Sequence, residues 1–430
     1  MQSRGGHGNE APISGAIEVV PLSKVSCCSH QGIHPLYSLK NLTYRTLNPN
    51  LSCIISIYLP SLPDLHPYTS CVTHLTTMLT RTMSSSSTMT VEPRKDTQSS
   101  HTSGYQAPFT PLPVDGPPYQ PPKTGILSHV PSSWVPYGEL MRIDKPTGIY
   151  LFFFPHLFGT LYVAASSPTA TQSAADIFWI NVKLFVGTIF MRAAACAWND
   201  NLDRDYDRQV RRCRNRPLAR GALTPAQGYI FTVPLTLIAA GFLFSLPQLC
   251  HIVSVPSIAL LALYPFTKRF TDFPQLILGF QVAIGILLGM AAVDPQAEKN
   301  TDYSKEAVLA FYLMNVAWTL VYDTVYAQQD VEDDAKAGVR SMAVRFRNGP
   351  RLLLTCVVFL QLILLGLTGW FQGFGAGYYS VACGGTLASM LWMLLTIDLK
   401  QPAECMWWFK GGCWLVGLSV SGGLALEAYL

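Results

Sequence analysis

The chain has 430 residues, 13% of them charged and 49% hydrophobic, with a formal net charge of +4. An ordinary soluble domain carries about 25% charged residues, so this composition excludes a soluble globular enzyme. More than half of the 30 prolines lie in residues 1–131 and long apolar blocks fill the remainder, which excludes a wholly disordered chain, and no basic run points to nucleic acid.

Residues 1–130 show no sustained helical periodicity. Residues 83–103 are rich in Ser and Thr and residues 107–122 in Pro, a composition that reads as disordered. The apolar stretch 51–59 is too short to span a bilayer, and Pro60 and Pro63 follow it. Residues 1–40 set Arg4, Lys24 and Lys40 against Glu10 and Glu18, a poor match to an Arg-rich, acid-poor presequence. Met83 reads as an alternative start, with 1–82 an extension outside the functional protein. The chain thus divides into a disordered extension, 1–130, and a transmembrane domain, 134–430.

Nine apolar blocks follow, at 147–166, 177–198, 228–246, 249–266, 274–293, 307–327, 351–371, 376–397 and 409–429. Each is long enough for a transmembrane helix, although Pro256 interrupts the fourth. The expected fold is an all-α polytopic membrane bundle. Alternate loops hold Arg204 to Arg220, Lys268 and Arg269, Lys336 to Arg351, and Lys400 and Lys410, while the loops between hold only Lys299 and Lys305. The positive-inside rule puts the basic loops and the N-terminus in the cytosol, and Arg142 and Lys145 before the first block agree. The 11 cysteines are scattered without a CxxC pair and read as buried thiols rather than disulfides or a zinc site.

Two basic loops also hold clustered acids. If the second helix continues through residues 197–207, Asn199, Asp200, Asp203 and Asp207 fall within about 100° of its circumference, while Asp205 points away. In residues 322–334, Asp323, Asp330 and Asp334 fall within about 40° on the sixth helix. Carboxylates on one stripe repel one another and call for a cation. Oxygen ligands without Cys or His favour Mg²⁺. Arg208, Arg211, Arg212, Arg214, Arg216 and Arg220 follow the first cluster, and Lys336, Arg340 and Arg345 the second. Carboxylate-bound Mg²⁺ and basic side chains together suit phosphate oxygens. At one end of a lipid-exposed bundle they suggest a diphosphate with a hydrophobic tail.

These residues resemble the UbiA superfamily of intramembrane aromatic prenyltransferases. Asn199, Asp200, Asp203 and Asp207 match its NDxxDxxxD motif, and residues 212–218 resemble its RTKNRPL segment, with Cys213 for Thr and Arg214 for Lys. Residues 322–334, followed by Lys336, Gly338 and Ser341, resemble its YDxxYAxxDxxDD stretch. Residues 264–269 with Pro274 and Gln275, and residues 142–148, match two further segments. The likeness covers about residues 134–430 and is nearest to the 4-hydroxybenzoate polyprenyltransferase branch. Residues 148–159 further resemble fungal enzymes that farnesylate aromatic polyketides in meroterpenoid pathways.

The resemblance implies a UbiA-type bundle that transfers a prenyl group from a prenyl diphosphate to an aromatic small molecule, with Mg²⁺ as cofactor and no obligate protein partner. Asn199, Asp200, Asp203 and Asp207 would hold one Mg²⁺ and the diphosphate, and Asp323, Asp330 and Asp334 a second. Asp203, Asp207 and Asp330 are the expected catalytic acids. Arg212, Arg214, Arg216, Lys268 and Lys336 would contact phosphate, and Arg142 or Lys145 an acceptor carboxylate. His156 reads as a packed histidine, and Asp398 and Glu427 as interface residues. Endoplasmic reticulum or Golgi membrane is the expected location. One rival is the ubiquinone-pathway 4-hydroxybenzoate enzyme of the mitochondrial inner membrane. A multi-pass transporter is the rival of another class, with Lys183 and Arg192 as its intramembrane charges.

Overall fold

The computed structural model describes residues 118–166 and 173–429, so the expectations for residues 1–117 lie outside the described residues. A 3-10 turn at Ile126–His129 precedes the short helix α1 (Val135–Leu140). Nine helices long and apolar enough to cross a membrane follow among the described residues. They are α2 (Thr147–Ser166), α3 (Ala174–Asp207), α4 (Pro225–Phe244), α5 (Gln248–Phe270), α6 (Pro274–Val293) and α7 (Lys305–Ala327). After the short helices α8 (Val331–Ala337) and α9 (Met342–Arg345) come α10 (Pro350–Gln372), α11 (Ala376–Thr396) and α12 (Pro402–Tyr429). The described residues contain no strand.

Every expected span is present, and the departures have local causes. The second block was expected to end at 198, yet α3 runs on to Asp207. Its start is fixed by a capping box, in which Ser173 and Asp176 satisfy each other's backbone N–H groups. Its polar tail stays helical because the carboxylates there find basic partners. Pro256 does not break α5, which passes through both Pro256 and Pro265. Packed membrane helices tolerate proline because neighbouring helices and hydroxyl side chains satisfy the freed carbonyls. The sixth span is not one uniform α-helix, since a 3-10 turn at Gln328–Asp330 separates α7 from α8. The ninth starts at Pro402 and contains a π turn at Trp408–Gly412.

Helices α2, α6 and α7 form the centre of the bundle. Phe154, Phe158, Tyr162, Phe311 and Trp318 stack between α2 and α7, with Phe158 5.8 Å from Trp318 and Tyr162 5.6 Å from Phe311 between ring centroids. Between α2 and α6 the backbones nearly touch. A Cβ on Gly159 would lie 2.0 Å from the Ile286 carbonyl oxygen, and one on Gly289 2.2 Å from that of His156. Membrane helices associate through such close contacts because lipid provides no hydrophobic drive between them. His156 packs at this crossing, its Nδ1 donating to the Phe152 carbonyl oxygen at 2.8 Å, which agrees with its reading as a packed residue.

Ordered packing begins earlier than the expected boundary at 134. Leu127 is buried against Gly138. The Tyr119 hydroxyl donates to Glu139 at 2.8 Å, and the Arg220 guanidinium lies 3.7 Å over the Tyr119 ring. A proline-rich composition conceals these long-range contacts. The seven described cysteines are all free thiols; Cys213, Cys250, Cys405 and Cys413 are buried as expected, whereas Cys196 and Cys383 are half-buried and Cys356 is exposed.

Candidate active site

The tail of α3 turns three carboxylates inward. Asp200, Asp203 and Asp207 are buried, whereas the Asp205 side chain is 57% exposed and bonds Arg208 at 3.0 Å. Asn199 joins the inward set. The sixth span supplies Asp323 from α7, Asp330 from the 3-10 turn and Asp334 from α8. The turn winds more tightly than an α-helix, so the angular stripe drawn for a regular helix shifts. All three still face one cavity of about 350 Å³, together with the four residues of α3. Helices α2, α5, α6 and α12 complete its walls.

Basic side chains from the loops and from the last turn of α5 bind these acids. Arg142 donates from one nitrogen to both oxygens of Asp200, at 2.8 and 3.0 Å. Arg216 bridges Asp207, at 2.8 and 2.9 Å, and Asp200, at 3.3 Å. The Lys268 ammonium donates to Asp203 at 2.9 Å. Arg212 forks onto Asp330 and also donates to the Tyr326 hydroxyl, with its guanidinium 4.6 Å over the Tyr326 ring. Burial opposes the charge on Arg216, but Asp207 and Asp200 outweigh it and hold the guanidinium charged far into the alkaline range. Arg142 follows the same pattern, with burial opposed by Asp200. Arg142 reaches Asp200 from a left-handed backbone with φ of 58°, the one non-glycine residue with positive φ among those described.

The cavity thus gathers Asn199, Asp200, Asp203, Asp207, Asp323, Asp330, Asp334, Arg212, Arg216, Lys268, Arg142 and Lys145 from the sequence reading. Lys336 is exposed and does not line it, and Arg214 is not among the lining residues either. Arg214 sits in the turns after α3, where periodicity gives no direction, and Lys336 lies in the last turn of α8, whose register the preceding 3-10 turn shifts. Sequence reasoning missed Tyr264, Tyr326 and Lys410, which also face the cavity. Arg192 lines it too, although its apolar surroundings suggested a transporter charge. Its spacing of two helical turns from Asn199 was the available signal.

The donor set suits a hard divalent cation. Apart from the thiols of Cys196 and Cys213, the cavity wall offers six carboxylates and the amides of Asn199, Gln275 and Gln281. No group of three or more His, Cys, Asp or Glu side chains converges closely enough to cage an ion among the described residues. Mg²⁺ does not require such a cage, because it takes one or two carboxylates and completes its shell with water and phosphate oxygens. Asp323 and Asp334 fit that role, since neither carboxylate receives a hydrogen bond or ion pair within the described residues. Below the acids the wall turns apolar at Leu151, Phe152, Leu261 and Leu278.

Comparison with known proteins places this geometry in a family. Residues 152–416 match the UbiA prenyltransferase family. The prenyltransferase ascA of Acremonium egyptiacum is 41% identical over 286 residues, which is 66% of this chain and 83% of that protein. The DMOA farnesyltransferase nvfB of Aspergillus novofumigatus is 35% identical over 306 residues, 71% of this chain and 95% of its own. The mitochondrial 4-hydroxybenzoate polyprenyltransferase of Arabidopsis thaliana is 36% identical, covering 66% of this chain and 67% of that protein. A UbiA homolog from Archaeoglobus fulgidus, solved bound to DMAPP and Mg²⁺, shares the fold with a TM-score of 0.51 at 14% identity, over 68% of this chain and 99% of its own.

Proposed function

The chain belongs to the UbiA prenyltransferase family, and from that membership we propose that it transfers a farnesyl group from farnesyl diphosphate to an aromatic polyketide or phenolic acid. The observation that carries this reading is the convergence of two acidic sets, with the basic side chains of Arg142, Arg212, Arg216 and Lys268 paired to them, above an apolar wall. That arrangement accepts a diphosphate at its charged end and a hydrocarbon chain at the other.

In this reading Asn199, Asp200, Asp203 and Asp207 face one Mg²⁺, and Asp323, Asp330 and Asp334 a second. Bound there, Mg²⁺ neutralises the charge that grows on the departing diphosphate. Arg212, Arg216 and Lys268 are positioned to share that charge, which is worth most where water is excluded. As the allylic C–O bond breaks, electron density moves to diphosphate and leaves a cation at C1 of the prenyl chain. Leu151, Phe152, Leu261 and Leu278 keep water from quenching it. A ring carbon of the acceptor then forms the new C–C bond. The ring proton leaves to a basic oxygen at the mouth, that of Asp207 or of released diphosphate. Arg214 and Lys336 take no part in this scheme.

A nine-span protein of this family resides in a membrane. The basic loops support a site opening to the cytosol, and the endoplasmic reticulum or Golgi is the proposed compartment. The farnesyl donor draws support from the likeness to nvfB. The likeness to the Arabidopsis enzyme favours a second reading, a long-chain transfer to 4-hydroxybenzoate in mitochondria. Membranes containing the protein, given geranyl, farnesyl, geranylgeranyl or longer diphosphates with 4-hydroxybenzoate or orsellinic acid, separate the two by mass spectrometry of the products. Farnesylated orsellinic acid is the expected product. A preference for a long polyprenyl donor with 4-hydroxybenzoate would overturn it.

A further inference from the structure

A second pocket, of about 250 Å³, lies at the loop end of the bundle, where the segment before α1, the α1–α2 connection and the loop after α3 meet. It shares Arg142, Lys145, Arg212, Arg216 and Tyr326 with the central cavity, so these side chains stand between the two. The compartments differ in character. All six aspartates of the acidic sets line the central cavity, and none lines the second pocket. Its own carboxylates are those of Glu139 and Asp144. Glu139 is held by Arg220 at 2.6 Å and by the Tyr119 hydroxyl at 2.8 Å, and Asp144 lies 3.5 Å from Lys145. Pro217 and the rings of Tyr119 and Tyr326 are its apolar side chains, so a hydrocarbon tail has no bed here.

The guanidiniums of the shared wall have donors to spare. Among the described residues, Arg142 gives side-chain hydrogen bonds only from Nη2, to Asp200, and Arg216 only from Nη1, to Asp207 and Asp200. A guanidinium carries five N–H groups, which leaves about three donors on each. These open onto the two compartments that the residues line. Lys145 adds an ammonium to the same wall. Withdrawal from water lowers its pKa first, and repulsion from Arg142 next; Arg216 and Arg212 add to that repulsion and Asp144 opposes it. Like charges are thus gathered on this side with no aspartate of the acidic sets between them. The amides of Asn215 and Gln120 complete the polar wall, and Gln120 is exposed, so the pocket reaches water there.

We infer that this pocket is a second anion site, which receives inorganic diphosphate once the prenyl C–O bond has broken and holds it on its way to water. The inference rests on the proposed prenyl transfer, whose leaving group it takes, and it names a place apart from the acidic mouth. Arginine forks suit phosphate oxygens. Arg142, Arg212 and Arg216 reach both compartments, so the anion passes along one row of guanidiniums. A pocket without an apolar wall rejects the prenyl ester and accepts its head group freed of the tail. Diphosphate standing there draws these side chains away from the next donor, and so inhibits turnover from outside the central cavity.

Equilibrium dialysis of radiolabelled inorganic diphosphate against the detergent-purified full-length protein reads the site directly. Farnesyl thiodiphosphate, in which sulfur replaces the bridging oxygen, saturates the central cavity. Wild type should still bind diphosphate beside it. Gln120→Glu and Asn215→Asp each keep the side-chain shape and add a negative charge at a residue outside the central cavity. Each should weaken that binding about tenfold, the order expected for one like charge beside a partly solvated anion. Both variants should retain the thiodiphosphate and a KM for farnesyl diphosphate close to wild type, which shows that they are folded. Inhibition by added diphosphate that saturating farnesyl diphosphate does not relieve should weaken by the same factor. Inorganic phosphate and glycerol 3-phosphate, the latter standing for a lipid head group, serve as competitors and should displace the label poorly. Displacement by either at equal concentration overturns the assignment to diphosphate. No diphosphate bound beside the thiodiphosphate, or equal binding to wild type and both variants, overturns the site itself. If wild type turns over no prenyl diphosphate, the proposed function fails, and the dialysis still decides whether the pocket holds diphosphate.

Discussion

Asp203 and Asp205 lie two residues apart on one helix and face opposite ways, so Asn substitutions at each separate site chemistry from surface charge. Asp203 is buried and receives Lys268 at 2.9 Å, whereas Asp205 is 57% exposed and meets Arg208 at 3.0 Å. Asn preserves the shape of either side chain and removes its charge. At Asp205 the loss is that of an exposed ion pair, about 0.2–1 kcal/mol, or at most about fivefold in any rate. At Asp203 it removes a preorganised charge where water is scarce. A single electrostatic contributor of that kind is worth about 2.7–4 kcal/mol, a fall of about 10²–10³ in turnover. Membranes assayed with labelled farnesyl diphosphate over a series of Mg²⁺ concentrations give both quantities. Asp203→Asn should lose turnover by that factor and require more Mg²⁺ for half-maximal rate, with Asp205→Asn close to wild type. If the two variants lost activity equally, the buried face of α3 would not be the reacting face.

Two further outcomes follow from the same geometry. Asp330→Asn removes the fork that holds Arg212 and should depress turnover about as far as Asp203→Asn, again with a higher Mg²⁺ requirement; a wild-type rate in that assay would take the 3-10 turn out of the site. Gly159→Val puts side-chain atoms where a Cβ already lies 2.0 Å from the Ile286 carbonyl oxygen, so α2 and α6 must part. It should destabilise the detergent-solubilised protein by about 1–3 kcal/mol, read as a lower melting temperature, and an unchanged melt would contradict the crossing.

Periodicity carries information only along a regular helix, and that explains what the sequence revealed of this site. The inward direction of Asp200, Asp203 and Asp207 was legible because α3 stays helical through them. The second stripe was legible as a cluster, but not in its angles, since no local signal marks a 3-10 turn at Gln328–Asp330. Among the basic residues after Asp207, the chain runs through turns, and nothing in the spacing separates inward Arg212 and Arg216 from Arg214. The ion pairs themselves join residues far apart in the chain, Arg142 to Asp200 and Lys268 to Asp203. Side-chain charge announces that such pairs are needed but not which ones form. Arg192 was visible on the helical face of Asn199, but the sequence reading weighed it only as an intramembrane charge of the transporter rival.

Arg142 shows how the site holds a residue its backbone disfavours. Its φ of 58° places a side-chain-bearing residue in the left-handed region, at a cost of about 1–2 kcal/mol. Such a conformation persists only where the surroundings over-determine it, and here the guanidinium is held by both oxygens of Asp200. Arg142→Gly and Arg142→Ala both delete that contact, so in either variant Asp200 keeps only Arg216, at 3.3 Å. Both should therefore lose activity alike. Their stabilities should differ through the backbone alone, because glycine enters the left-handed region freely and alanine does not. Ordinarily alanine is the more stabilising of the two, since glycine gains more freedom in the unfolded chain. At this position the order should invert, with Arg142→Gly melting above Arg142→Ala by the equivalent of about 1 kcal/mol. Thermal melts of the two detergent-purified variants, measured beside their turnover, check both halves. A more stable alanine variant would mean that residue 142 relaxes out of the left-handed region once its guanidinium is gone. Its strain would then be a consequence of the Asp200 contact rather than a property of the turn.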